Sequence, residues 1–127
     1  MIKMVYHVSG WGYNEMTQWI HDSQGERGIT GMTIYICDDS KSDLLRLNHH
    51  LQEYLSHQDQ KITIESFQSG EELLRRYEET MEKPSLIFLD IYMDDPDGMS
   101  VAHTLREEHY EGGLIFTTSS MEHAMDS

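Results

Sequence analysis

The sequence is poor in cysteine, in basic residues and in long apolar runs. Cys37 is the single cysteine, so no disulfide can form within the chain, and the composition suits a reducing cytoplasm. Lys and Arg number 9 against 23 Asp and Glu, a formal net charge of −14. Phosphate backbones require clustered cations, so direct nucleic-acid binding is not expected. An acidic surface suits a basic protein partner or a divalent cation, or is simply solvated. No apolar run approaches the roughly 18 residues of a membrane span. Met1–Val8 carries neither the apolar core nor the small-residue cleavage site of a secretory signal. Internal repeats and low-complexity tracts are missing as well. What is present is a chain of 127 residues, 38% hydrophobic and 25% charged, which fits one domain with a modest core.

Residues 1–31 differ in character from the rest and read as an N-terminal extension or linker without an assigned role. Ile2–Val8 can form a short strand, and Ser9–Asn14 reads as a turn. Asn14 can cap a short helix through His21. Ser23–Gly31, with three glycines, reads as a linker.

At Met32 the pattern changes, and residues 32–127 read as one domain. Met32–Cys37 is a short run of β-formers that ends in Asp38-Asp39. Ser40 and Asp43 then form a capping box for a helix in which Leu44, Leu47, Leu51 and Leu55 recur at steps of three and four. Lys61–Phe67 alternates as a strand does. Ser69 and Glu72 open a second helix with Leu73, Leu74 and Tyr77 on its inner face. Ser85–Leu89 is a fully apolar strand that runs into Asp90. After an irregular loop, Gly98 leads into a helix over Met99–Arg106, with Met99, Ala102 and Leu105 apolar. Leu114–Thr117 is a fourth strand, Thr118 stands at its end, and Ser119 with Glu122 can open a last helix. Strands alternating with helices imply right-handed crossovers and a parallel sheet. Two wholly apolar strands require helices on both faces.

Ligands of such sheets bind at the carboxyl ends of the strands. Asp38, Asp39, Asp90 and Thr118 all fall there, and neither strand nor helix formation asks for acids in those places. Singly, an acid pair after a strand is often a solvated turn or helix cap. Jointly, converging carboxylates repel one another and need a cation or raised pKa values. Mg²⁺ takes hard oxygen ligands and keeps several waters. A carboxylate beside it can form an acyl phosphate, and a hydroxyl such as that of Thr118 can hydrogen-bond a phosphoryl oxygen.

Five segments occur in a telling order: Ile36-Cys37-Asp38-Asp39, Ser69-Gly70-Glu71-Glu72-Leu73-Leu74, Leu86-Ile87-Phe88-Leu89-Asp90-Ile91-Tyr92-Met93, Asp97-Gly98, and Ile115-Phe116-Thr117-Thr118-Ser119-Ser120. Together they resemble the receiver domains of bacterial response regulators, most closely those heading LytTR-type DNA-binding regulators. The resemblance runs from Met32 to Ser127. It implies a flavodoxin-like, doubly wound parallel sheet in the order 2-1-3-4. By the same resemblance, Asp90 accepts a phosphoryl group from a sensor histidine kinase. Asp39 is a direct Mg²⁺ ligand, Asp38 holds the ion through water, and the backbone carbonyl of Tyr92 is a third protein ligand. Thr118 is the switch hydroxyl, and Gly98 lets the loop turn into the third helix. The implied role is a cytoplasmic signalling module rather than an enzyme.

Departures from the family pattern matter. Its fifth strand, fifth helix, pairing lysine and aromatic switch residue find no match before Ser127, and residues 1–127 hold no DNA-binding domain. Lys3 lies in a possible strand without a matching motif. The chain therefore reads as a receiver cut short, whose strand at Leu114–Thr117 is an open edge through which copies can self-associate, unless Ile2–Val8, which carries no receiver-like motif, covers it. Asp94-Asp95 stand where relatives carry proline and a small residue. Two other functions stay in view. A Mg²⁺-dependent phosphatase with an Asp nucleophile needs a second acid where Tyr92 stands. A receiver fragment or interaction module that no longer switches would keep the motifs without the missing parts. Elsewhere, the spacing of His49, His50 and Glu53 permits a surface metal site, against the plainer reading of solvated helix residues. Cys37 fits a small core hydrophobe.

Overall fold

The computed structural model describes residues 4–7, 31–56 and 61–118. In chain order the elements are β1 (Met4–His7), β2 (Gly31–Cys37), α1 (Lys41–Leu55), β3 (Lys61–Phe67), α2 (Gly70–Glu79), β4 (Leu86–Asp90), α3 (Gly98–Glu107) and β5 (Gly113–Thr118). The helix expected after Asn14, the linker over residues 23–30, Lys3 and the helix expected after Ser119 lie outside the described residues.

Every residue of β4 is buried, which suits a central strand covered on both faces. It lies between β2 and β5 and runs parallel to both, with Ile36 opposite Phe88 and Asp90 opposite Thr117. β3 runs parallel to the other side of β2. These four strands have the order β3-β2-β4-β5, the flavodoxin-like 2-1-3-4 arrangement read from the sequence. The expected strand over Ser85–Leu89 begins one residue later and takes in Asp90.

The open edge expected at Leu114–Thr117 is corrected by the structure. β1 pairs with β5 in antiparallel register: Met4 opposite Thr118, Val5 opposite Thr117, Tyr6 opposite Phe116 and His7 opposite Ile115. The main-chain groups that an edge strand would leave for another chain are engaged by the protein's own N-terminal segment. Self-association through that edge loses its basis. Part of residues 1–31 is accordingly a strand of the sheet, and Gly31 is the first residue of β2.

Alternation along the strands sorts the core into two layers. Tyr35, Cys37, Ile87, Leu89, Leu114 and Phe116 face Leu73 and Tyr77 of α2 and Val101, Ala102 and Leu105 of α3. Ile34, Ile36, Leu86, Phe88 and Ile115 face the opposite side, with Leu44, Leu51 and Leu55 of α1. Leu47 is only partly buried, and Met99, one of the apolar residues of α3, is 54% exposed. Val101 takes its place in the core.

Helix ends follow local chemistry. The Ser40 and Ser69 hydroxyls accept from the N–H groups of Asp43 (3.3 Å) and Glu72 (3.1 Å), each satisfying an orphan amide of the first turn. Asp97 does the same for α3, accepting from Ser100 N–H at 2.8 Å, and this bond holds its carboxyl below the usual range. At the other end of α3, Tyr110 N–H donates to Leu105 C=O and His109 N–H to Arg106 C=O. That is a Schellman closure with His109 at φ 68°, a position that usually takes glycine.

Candidate functional site

Cys37 and Leu89 are register partners, so β2 and β4 deliver the residues that follow them to one edge of the sheet. Asp38, Asp39 and Asp90 meet there, each with a carboxylate oxygen within 4.8 Å of the others. Asp38 and Asp90 are only 1% and 3% exposed, whereas Asp39 faces solvent.

Backbone amides orient the two buried acids. Asp38 Oδ1 accepts from Ser40 N–H at 2.9 Å, which turns the chain from β2 into α1. Asp38 N–H itself donates to Phe67 C=O at 3.1 Å. Asp90 Oδ1 accepts from Tyr92 N–H at 3.2 Å. The backbone leaving Asp90 is pinned twice, by Ile91 N–H to Thr117 C=O (3.0 Å) and by Gly98 N–H to Ile91 C=O (3.3 Å). A side chain at position 98 would put its Cβ 2.3 Å from the carbonyl oxygen of Asp90 and 3.0 Å from Ile91 Cα. Glycine thus permits the start of α3 to lie against the chain beside Asp90.

The loop after Asp90 is anchored by sulfur. Met93 is buried, and its Sδ lies 3.4 Å from the Cys37 thiol. The next residue, Asp94, hydrogen-bonds the Asp39 carboxylate through its backbone. Partial desolvation at the pocket raises the Asp39 carboxyl above its ordinary value, and the charges of Asp38 and Asp94 push it further the same way. Burial also drives the Cys37 thiol up to about 12, with the charges of Asp38 and Asp90 adding to it. Cys37 is therefore a protonated core residue and not a thiolate ligand.

This donor set fits a hard cation. Three clustered carboxylates, two of them buried, carry mutual repulsion that a divalent ion relieves. All the donors offered are oxygens, which suits Mg²⁺ or Ca²⁺ rather than a soft metal. The site is an acidic pocket able to bind such an ion.

Of the residues singled out in the sequence, the three aspartates are brought together as expected. Tyr92 lies in the loop two residues beyond Asp90, is 44% exposed, and donates its N–H to Asp90. The backbone of Thr118 ends β5, one residue beyond the partner of Asp90; its side chain lies outside the described residues. His49 Nε2 lies 3.3 Å from Glu53 Oε1 on an exposed stretch of α1. Among the described residues, His49, His50 and Glu53 do not make a second converging group of metal-binding side chains. Sequence reasoning missed the sulfur anchor and the Asp94 amide. An apolar Met93 in an otherwise acidic loop was the available signal.

Comparison with known proteins agrees with this geometry. The response regulator receiver domain family matches residues 34–126. The transcriptional regulatory protein DpiA of Escherichia coli K12 is 42% identical over 40 residues, which cover 32% of this chain and 18% of DpiA. DpiA of Escherichia coli O157:H7 and of Shigella flexneri match with the same identity and coverage. The similarity thus spans less than a fifth of the length of these curated relatives. No helix among the described residues is long and apolar enough to cross a membrane.

Proposed function

The chain belongs to the response regulator receiver domain family, and from that premise we propose that it accepts a phosphoryl group on Asp90 from a sensor histidine kinase, with Mg²⁺ as cofactor. The observation that carries this reading is the meeting of Asp38, Asp39 and Asp90 within 4.8 Å at the carboxyl edge of the sheet. When bound, the ion offsets the negative charge of the phosphoryl oxygens. Asp39 and Asp90 with the Tyr92 carbonyl are the proposed direct ligands, and Asp38 acts through water.

Asp90 is the nucleophile because it ends the central strand with its backbone fixed on both sides. Its carboxylate oxygen attacks the phosphorus of a phosphohistidine. A P–O bond forms, the P–N bond breaks, and the imidazole leaves and takes up a proton. The Tyr92 N–H at Asp90 Oδ1 fixes the carboxylate so that the attack needs positioning rather than activation. The Thr118 hydroxyl then donates to a phosphoryl oxygen. The added charge and its new hydrogen bonds shift the surrounding surface between two states.

In this reading the chain is a phosphoacceptor in the cytoplasm rather than a turnover enzyme. The LytTR-like motifs, and the naming of DpiA as a transcriptional regulatory protein, support a place in transcriptional control through an output region other than this domain.

Acetyl phosphate with Mg²⁺ tests the chemistry. Intact mass should show one added phosphoryl group, labile to hydroxylamine, and Asp90→Asn should abolish it. Undiminished labelling of that variant would refute the assignment. Mg²⁺ binding without any labelling of the wild type would instead favour a receiver that serves as an interaction module and no longer switches.

A further inference from the structure

One strand of the sheet lies outside the family match. β1 covers Met4–His7, and the match begins at residue 34. Its position in the sheet bears directly on the acidic site. Among the described residues, β5 has two neighbours, β4 and β1. On the β4 side, Thr117 is the register partner of Asp90, and its carbonyl accepts the N–H of Ile91. On the β1 side, the same Thr117 is opposite Val5, and Thr118 is opposite Met4. The stretch of β5 that fixes the backbone leaving Asp90 is therefore paired on its far side with the N-terminal strand, through Phe116 and Thr118 on either side of Thr117.

We infer that β1 is a positioning element of the acidic site, so that docking of Met4–His7 against β5 and binding of a divalent cation reinforce each other. Without β1, the end of β5 is an edge, and edge pairs open more readily than interior ones. Opening there frees the Thr117 carbonyl from its place and loosens Ile91 and Tyr92, the segment that sets the Asp90 carboxylate. A bound cation requires that segment ordered and so favours the docked strand. Linkage makes the effect reciprocal: the factor by which β1 strengthens cation binding is the factor by which the cation suppresses release of β1. The inference rests on the reading of the acidic site as a cation site, and it adds a part of the chain that the family match does not reach.

Amide hydrogen exchange on the full chain, with and without saturating Mg²⁺, measures the coupling. Exchange at Tyr6, whose amide faces β5 opposite Phe116, should slow by roughly fivefold or more, the lower end of ordinary coupling between sites. Thr63, whose amide faces β2 at the far end of the opposite edge strand, is the internal reference for global stabilisation and should slow by less. Tyr6→Pro, which removes the amide that faces β5 opposite Phe116, should weaken Mg²⁺ binding by a similar factor while the circular dichroism of the remaining sheet persists. Equal slowing at Tyr6 and at the reference amide would overturn the inference, as would unchanged Mg²⁺ affinity in a folded Tyr6→Pro chain. Failure of the wild type to bind Mg²⁺ at all would overturn the cation site itself, a result that is distinct from the other two.

Discussion

Gly98→Ala is the substitution that most directly connects packing with the acidic site. The added methyl would sit 2.3 Å from the Asp90 carbonyl oxygen and 2.9 Å from its carbonyl carbon. Both are backbone atoms, so no flexible side chain can swing aside. Either α3 moves outward or the peptide after Asp90 rotates. Overpacking of this kind costs about 1–3 kcal/mol. The replacement of glycine also removes freedom from the unfolded chain, which stabilises by about 0.4–1 kcal/mol. Gly31→Ala is the matched control, because its Cβ would find only Lys61 C=O, at 3.8 Å. Both substitutions change the unfolded state alike, so their difference isolates the steric cost. With a urea slope of about 1–3 kcal/mol/M, Gly98→Ala should unfold roughly 1 M below Gly31→Ala. Displacing the support of a ligand should also weaken Mg²⁺ binding on the order of tenfold. Coincident unfolding midpoints and equal affinities in the two variants would show that the start of α3 does not press on Asp90.

Three further outcomes follow from individual residues. The raised carboxyl of Asp39, whose ordinary value is 3.8, contributes stability that is full below that value and lost as pH rises through its higher folded value. In EDTA, the wild type should therefore lose stability relative to Asp39→Asn as pH increases from about 4, and parallel profiles would contradict the repulsion described. Tyr110 is buried with a hydroxyl that has no hydrogen-bond partner among the described residues, so Tyr110→Phe should stabilise by about 1 kcal/mol, while a lowered melting temperature would indicate that the hydroxyl is bonded. Cys37, buried and protonated, should react with a disulfide reagent at pH 8 only as fast as the protein unfolds, and a rapid phase in native buffer would place the thiol at the surface.

Much of the parallel sheet is legible because its signals are local. The apolar run of β4, the capping serines Ser40 and Ser69, and the leucine spacing of α1 each act within a few residues. The three aspartates are legible for a related reason: parallel strands deliver whatever follows them to a common edge, so acids after two neighbouring strands must meet. The pairing of β1 with β5 has no such local signature. Met4-Val-Tyr-His7 shows that a strand can form but not which edge receives it, and the open edge expected at Leu114–Thr117 followed from that gap. Apolar character alone does not place a residue either: Met99 is exposed, while Val101, Ala102 and Leu105 of the same helix are buried. The steric role of Gly98 was expected only through the family likeness; the distance to Asp90 supplies its cause.

The antiparallel pairing of Met4 with Thr118 also sets the order of events in folding. It closes the longest loop of the described sheet, and the entropy of that closure must be met before its hydrogen bonds contribute. During synthesis β1 leaves the ribosome well before its partner β5, while β2 to β4 can assemble among themselves. β5 therefore spends an interval as an exposed apolar edge, and the N-terminal segment ends that interval by docking. Pairing of Met4–His7 with β5 thus closes, late in folding, the edge that an apolar strand would otherwise present.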